Sequence, residues 1–329
     1  MIRINTPNAI NYNKALYKNN STSFKGHYGT ERCLKPGINR LIHETGFFRN
    51  LQTKNFVVDY IHKNFSHKPN IRLLIGACST GEEAYSYSML LDDIKEKLSI
   101  IGFDLGEKAI EDARSKKCIM LKPKEDPGNG LRYVYHSHDS LNDSFLCFDR
   151  KKPLSREECA LKEIFSTFFE ETNETVIKKP KTISQKFNAF LLKLFWKMIP
   201  NEYYEKIIKL KDGKATNCTF KEGDILKLDE ISQGKKADVI TFANAMYHLV
   251  CDEILNGTRR MPKKNAEKII ENIAENVKQN LNPNGIFVLG EDEATQTLSS
   301  KLISKVFKNA GFEALNQTFE HEANVWRLK

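Results

Sequence analysis

The sequence has no apolar run long enough to cross a bilayer, and its N-terminus carries no hydrophobic signal core. From those absences we expect a cytoplasmic protein without a membrane span. Its 7 cysteines are an odd number, include no CxxC pair and show no Cys/His spacing suited to zinc. Such scatter argues against a disulfide-stapled secreted scaffold and fits a reducing compartment. Basic residues outnumber acidic ones by 51 to 42, yet the excess of +9 is spread over many lysines rather than gathered in one arginine-rich block. That distribution points to a solvated lysine-rich surface, so no nucleic-acid partner is expected. His136 and His138 have no further ligand set beside them, and we expect no metal.

What is present is organised around residues 71–91, IRLLIGACSTGEEAYSYSMLL. Ile71, Leu73, Leu74 and Ile75 predict a buried strand. Gly76-Ala77-Cys78-Ser79-Thr80-Gly81 is a turn of small residues, and Glu82-Glu83 open a helix. Strand, glycine turn and helix N-terminus make half of a nucleotide-binding unit, although an ordinary tight turn would use the same residues. The turn is not G-x-G-x-x-G and no GK[ST] follows, which disfavours a pyrophosphate. Two carboxylates at the helix start repel phosphate and suit a cationic or hydroxyl-bearing ligand. A second apolar run, Ser99–Asp104, ends in an acid placed to accept hydrogen bonds from ribose hydroxyls.

Alternation continues downstream. Thr219–Leu226 reads as a strand running into a loop with Asp224 and Ile225, and Ala237–Leu249 as a fourth strand together with its exit loop, which holds Asn244. Lys263–Asn280 is predicted as a helix, residues 281–285 as a turn and Ile286–Gly290 as the fifth strand. Leu302–Asn309 follows as a helix stopped by Gly311, and residues 312–320 and 323–328 as an antiparallel closing pair. The class is α/β. Residues 1–30 read as a mobile tail, 31–69 as an N-terminal helical segment, 70–117 and 200–329 as the main domain, and 118–199 as a large insertion. Within the insertion, residues 121–180 show few periodic runs, and 183–199 form a strongly amphipathic helical pattern.

CSTGEEAYS, preceded by His43-Glu44-Thr45-Gly46-Phe47-Phe48-Arg49 and followed by a strand ending in Asp104, resembles the CheR-type chemotaxis receptor methyltransferases. These esterify receptor glutamates with S-adenosylmethionine. The resemblance covers roughly residues 40–117 and 200–329. It implies a Rossmann-like seven-stranded methyltransferase sheet and S-adenosyl-L-methionine as cofactor. It also implies cofactor contacts from Thr45, Gly76, Ser79, Thr80, Gly81, Glu82, Asp104, Asp224, Ile225 and Asn244, with adenine beside Asp224. Arg49 matches a family position near the transferring methyl; Phe47 and Phe48 read as packing. The family usually has Arg-Asn and then a Tyr four residues after the Asn. This chain has Ala243-Asn244, with His248 at the tyrosine position and Tyr247 one earlier. Arg49, Tyr247 and His248 are the candidate catalytic residues, able to steer or orient an acceptor. The family also places a small receptor-binding β-subdomain where this chain has its insertion.

The resemblance implies a protein carboxylate as acceptor, within a partner that is acidic and receptor-like. A same-fold methyltransferase acting on a small molecule or another protein group, or a non-catalytic cofactor-binding module, would use the same residues. Residues 183–199 could touch a membrane surface or a partner, but the apolar stripe, with Phe187, Phe190, Leu191 and Leu194, is wide enough for a core face. We therefore expect the protein not to sediment with anionic vesicles. Strong sedimentation, abolished by Phe190→Glu in a folded protein, would reverse that assignment.

Overall fold

The computed structural model describes residues 47–48, 50–123, 134–135, 156–176, 203–243, 245–246, 251–254, 257–260, 263–290, 300–316 and 324–329. Helix α1 (Leu51–Phe65) leads into β1 (Ile71–Gly76), helix α2 (Glu82–Leu90), β2 (Leu98–Asp104) and helix α3 (Glu107–Ser115). Next come β3 (Lys117–Pro123), β4 (Val134–Tyr135), helix α4 (Arg156–Phe168), β5 (Phe169–Val176) and β6 (Tyr203–Leu210). The chain continues through β7 (Cys218–Glu222), helix α5 (Leu228–Ser232), β8 (Ala237–Phe242) and an antiparallel pair, β9 (Cys251–Ile254) with β10 (Gly257–Arg260). Helix α6 (Lys263–Asn280), β11 (Leu281–Leu289), helix α7 (Ser300–Asn309), β12 (Phe312–Ala314) and β13 (Val325–Leu328) complete it.

The main sheet runs β12-β13-β11-β8-β1-β2-β7. The five strands from β11 to the edge strand β7 are parallel, and β13 lies antiparallel between β11 and β12. Counting the strands of this sheet in chain order gives 6-7-5-4-1-2-3, the Rossmann-like methyltransferase sheet. Strand order reverses between β1 and β8, so ligand space opens at the carboxyl ends of these strands. The continuous apolar runs of β1 and β8 fit their burial on both faces. One face packs Ile71, Leu73, Ile75 and Val239 against α1, α2 and Phe48; the other packs Leu74, Ile240 and Phe287 against α5, α6 and α7.

Several boundaries differ from the sequence reading. Strand β11 starts at Leu281, pairs there with Ala237, then shifts register before Ile286, where Asn284 takes a left-handed φ of 62°. Residues 121–180, read as nearly patternless, contain the end of β3 and all of β4, α4 and β5. Strand β6 does not join the main sheet. It pairs with β3 and β5 in a second, antiparallel sheet of order β4-β3-β6-β5, so the main sheet resumes only at Cys218. Residues 1–46 and the amphipathic segment 183–199 lie outside the described residues.

Aromatic rings fasten α4 and β5 to Phe47 and to Tyr85 on α2. Phe47 meets Phe165 and Phe169 edge-on with centroids 5.0 Å away in each case, Phe165 stacks on Phe169 at 4.9 Å, and Phe169 reaches Tyr85 at 6.0 Å. At the opposite end of the sheet, buried Asp238 draws three elements together. Its carboxylate takes the Lys68 ammonium, the Arg72 backbone N–H at 2.9 Å and the Asn282 amide at 2.9 Å. Removing it leaves three donors without their acceptor. Asp238→Ala should lose about 2–4 kcal/mol of unfolding free energy, measured by urea denaturation. A loss inside experimental error would show that water replaces the carboxylate.

Candidate functional site

Strand β1 can reach the glycine turn only because Gly76 has no side chain. A Cβ there would lie 2.7 Å from the Phe103 ring and 3.0 Å from that of Phe242. The turn then visits left-handed conformations three times in five residues, at Ala77 (φ 52°), Ser79 (φ 48°) and Gly81 (φ 98°). Such backbone is strained for alanine and serine and persists only where the surroundings hold it. Here the holding group is the carboxylate at the tip of β2. Ser79 N–H donates to Asp104 Oδ2 at 2.8 Å and Gly106 N–H to Asp104 Oδ1 at 2.9 Å, while Cys78 N–H donates to the Phe103 carbonyl at 3.1 Å. An ionised carboxylate offers about four lone-pair positions, so acceptor capacity remains for a ligand.

The two carboxylates at the start of α2 have separate partners. Thr80 Oγ1 donates to Glu82 Oε1 at 2.6 Å, and Glu82 is fully buried. Glu83 instead meets the buried ammonium of Lys54 at 2.5 Å, which also lies 5.4 Å from the Tyr87 ring centre. Burial, with Glu83 adding to it, pushes the Tyr87 hydroxyl well above its ordinary pKa. Both acids favour the helix N-terminus electrostatically. Cys78 is fully buried inside the turn. Desolvation, then the charges of Asp104 and Glu82, hold its thiol well above its usual pKa, so it stays protonated and is no nucleophile.

The β2–β7 pairing sets Asp104 opposite Glu222 and brings the next loop alongside. Gly223 N–H donates to the Asp104 carbonyl at 2.9 Å. Asp224 caps the short helical turn 225–227, with Oδ1 accepting from Leu226 N–H at 2.9 Å. Ile225 turns its side chain into the core. Leu105, directly after Asp104, is 42% exposed, a large apolar side chain left facing solvent beside this crevice. Sequence reading passed over it, although an apolar residue following a strand-end acid was a visible signal.

Gly76, Ser79, Thr80, Gly81, Glu82, Asp104, Asp224 and Ile225 thus gather around the carboxyl ends of β1, β2 and β7. Thr45, Arg49, Asn244, Tyr247 and His248 lie outside the described residues. Their flanks are informative: Phe47 and Phe48 are fully buried, as expected of packing residues. Among the described residues no group of three His, Cys, Asp or Glu side chains could hold a metal ion, and no helix is long and apolar enough to cross a membrane.

The donor set fits S-adenosylmethionine. Asp104 has capacity for ribose hydroxyls, the acids match a sulfonium and an ammonium, and Gly76 and Gly81 leave room for close backbone approach. Residues 43–119 match the family model described as CheR methyltransferase, SAM binding domain. No curated protein matches the sequence. Among solved structures, the DszA carbon methyltransferase is 13% identical over 85% of this chain and 53% of its own, with a TM-score of 0.38. The citrinin polyketide synthase CMeT domain is 10% identical over 84% and 51%, with a TM-score of 0.38. An O-methyltransferase family protein from Burkholderia thailandensis is 10% identical over 85% and 57%, with a TM-score of 0.34. The chain spans about half the length of these proteins, and the fold rests on the strand order rather than on such slight likeness. Residues 43–119 match the SAM-binding domain model of the CheR methyltransferases, the described part of that match supplies β1 and β2 of the main sheet, and the cofactor indicated is S-adenosylmethionine.

Proposed function

We propose that this chain is an S-adenosylmethionine-dependent methyltransferase whose acceptor is a carboxylate, most simply a glutamate of a protein. The observation that carries the reading is the acid-lined turn locked by Asp104, within the segment that matches the family's cofactor-binding domain. The bound cofactor supplies an already activated methyl group on a sulfonium. Transfer forms one C–O bond from the acceptor carboxylate and returns the C–S electron pair to sulfur, so no proton moves and no base is needed. A glutamate is ionised at neutral pH, which leaves the protein mainly the task of alignment.

In this reading Asp104 holds the ribose hydroxyls and Glu82 faces the cofactor's cationic groups. Asp224 meets the adenine amine with the oxygen not used for capping, and Leu105 covers an adenine face. Glu83, committed to Lys54, serves the junction of α1 and α2. Thr45 and Asn244 complete the cofactor site. Arg49 steers the acidic acceptor, with Tyr247 or His248 orienting it. The second sheet falls in the part of the chain where the family has its receptor-binding β-subdomain, and this supports an acidic, receptor-like protein as partner. One departure favours a second acceptor class: Ala243 and His248 stand where the family has Arg and Tyr. A small molecule bearing a carboxylate, hydroxyl or amine is the alternative, with His248 as base for the last two.

Incubation with methyl-labelled cofactor and host lysate separates the two readings. Base-labile label on acidic protein is the expected result; label confined to small molecules would overturn the protein acceptor. Arg49→Ala should lower turnover by about 100-fold or more while melting stays unchanged, and Arg49→Lys should recover only part. Wild-type turnover in Arg49→Ala would withdraw Arg49 from the site.

A further inference from the structure

The turn just before α1 is held in a conformation its residues disfavour. Phe48, fully buried, has φ 56°, and Asn50 has φ 54°. A bulky aromatic residue rarely adopts left-handed backbone, and such outliers mark places where the surroundings impose a shape. The imposing group is Ser86, on the second turn of α2. Its fully buried hydroxyl accepts the Phe48 backbone N–H at 2.8 Å and donates to the Glu82 carbonyl at 2.7 Å. Serine back-bonding inside a helix is common, but here the same oxygen also accepts from a strained turn 38 residues away. Two further ties hold α1 in place, the first to α2 and the second to the residue before β13. Lys54 pairs with Glu83, and the Asn324 amide donates to Thr53 Oγ1 at 2.7 Å.

We propose that Ser86 is a positioning residue for methyl transfer: its hydroxyl couples the Phe48–Asn50 turn to the cofactor helix at Glu82. The inference rests on the methyltransferase reading above. Binding of the cofactor at the start of α2 is then transmitted to the turn through one oxygen, and the turn is fixed for the acceptor. Removing the hydroxyl frees the Phe48 N–H and lets the turn relax, while the contacts of Asp104 and Glu82 to the cofactor persist. The expected signature is therefore a loss in kcat, not in cofactor affinity. Displacement of reacting groups by about 1 Å can cost on the order of 100-fold in rate.

The test compares wild type, Ser86→Ala and the near-isosteric Ser86→Cys, whose thiol is a weaker acceptor. Ser86→Cys keeps the comparison open where Ser86→Ala does not fold. We expect kcat to fall by roughly 10–100-fold and the cofactor KM to change by less than about threefold, with melting lowered by the loss of one buried hydrogen bond but the variants folded at the assay temperature. Hydrogen exchange at the Phe48 amide gives a readout independent of turnover. In the wild type, S-adenosylhomocysteine should slow that exchange; in both variants it should not. Unchanged kcat together with wild-type protection of Phe48 in the variants would overturn the proposal. Product-dependent protection lost in the variants, with no methyl transfer by the wild type to any acceptor, would retain the coupling and overturn the enzymatic reading instead.

Discussion

Everything at the carboxyl edge of the main sheet depends on one carboxylate. Asp104 accepts the backbone N–H of Ser79 from one loop and of Gly106 from its own, one on each oxygen. Without it the left-handed turn after β1 would lack its fixed point, and the loops that follow β1 and β2 would no longer be joined. The same group offers its remaining lone pairs to a ligand. In the proposed function the same side chain carries both a structural and a binding role, and its replacement by alanine would confound them. An asparagine keeps an acceptor for one loop and removes the charge.

A consequence is that strain concentrates where the ligand must fit. Left-handed residues at 48, 50, 77, 79 and 81 occupy two loops that both meet the start of α2. Each is held by a specific polar tie, Ser86 for the first loop and Asp104 for the second. The scaffold beneath is ordinary by comparison: five parallel strands, of which β1, β2 and β8 are buried on both faces, with Asp238 fastening the far end. The placement of irregular backbone on a rigid sheet lets small side chains and backbone N–H groups approach a ligand closely.

Much of this was legible in the sequence, for physical reasons. Buried parallel strands need continuous apolar runs, so β1, β2 and β8 announced themselves, and the 3.6-residue stripe of Lys263–Asn280 gave a helix with the observed ends. The second sheet was obscure because Phe169–Val176 carries Glu170, Glu171 and Glu174 and does not alternate cleanly. Helix α4 was not: Leu161, Ile164, Phe165 and Phe168 follow the i, i+3, i+4, i+7 pattern, and the stripe was overlooked within a stretch read as irregular. At the site, residue types named the acids but not their division of labour. That Glu83 belongs to Lys54 depends on a contact across 29 residues, and that Asp104 locks the Ser79 turn depends on strand pairing. Neither relation has a local signature. Asp224 is the intermediate case, since an acid two residues before Leu226 is itself a capping signal.

The central claim is that Asp104 both locks the turn and holds the cofactor. Calorimetric titration of wild type and Asp104→Asn with S-adenosylhomocysteine, each checked for melting temperature, measures it most directly. We predict one site of about micromolar affinity in the wild type, weakened by roughly 10-fold or more in Asp104→Asn while the protein remains folded. Equal affinity in the two folded proteins, or no binding by the wild type, would contradict the account.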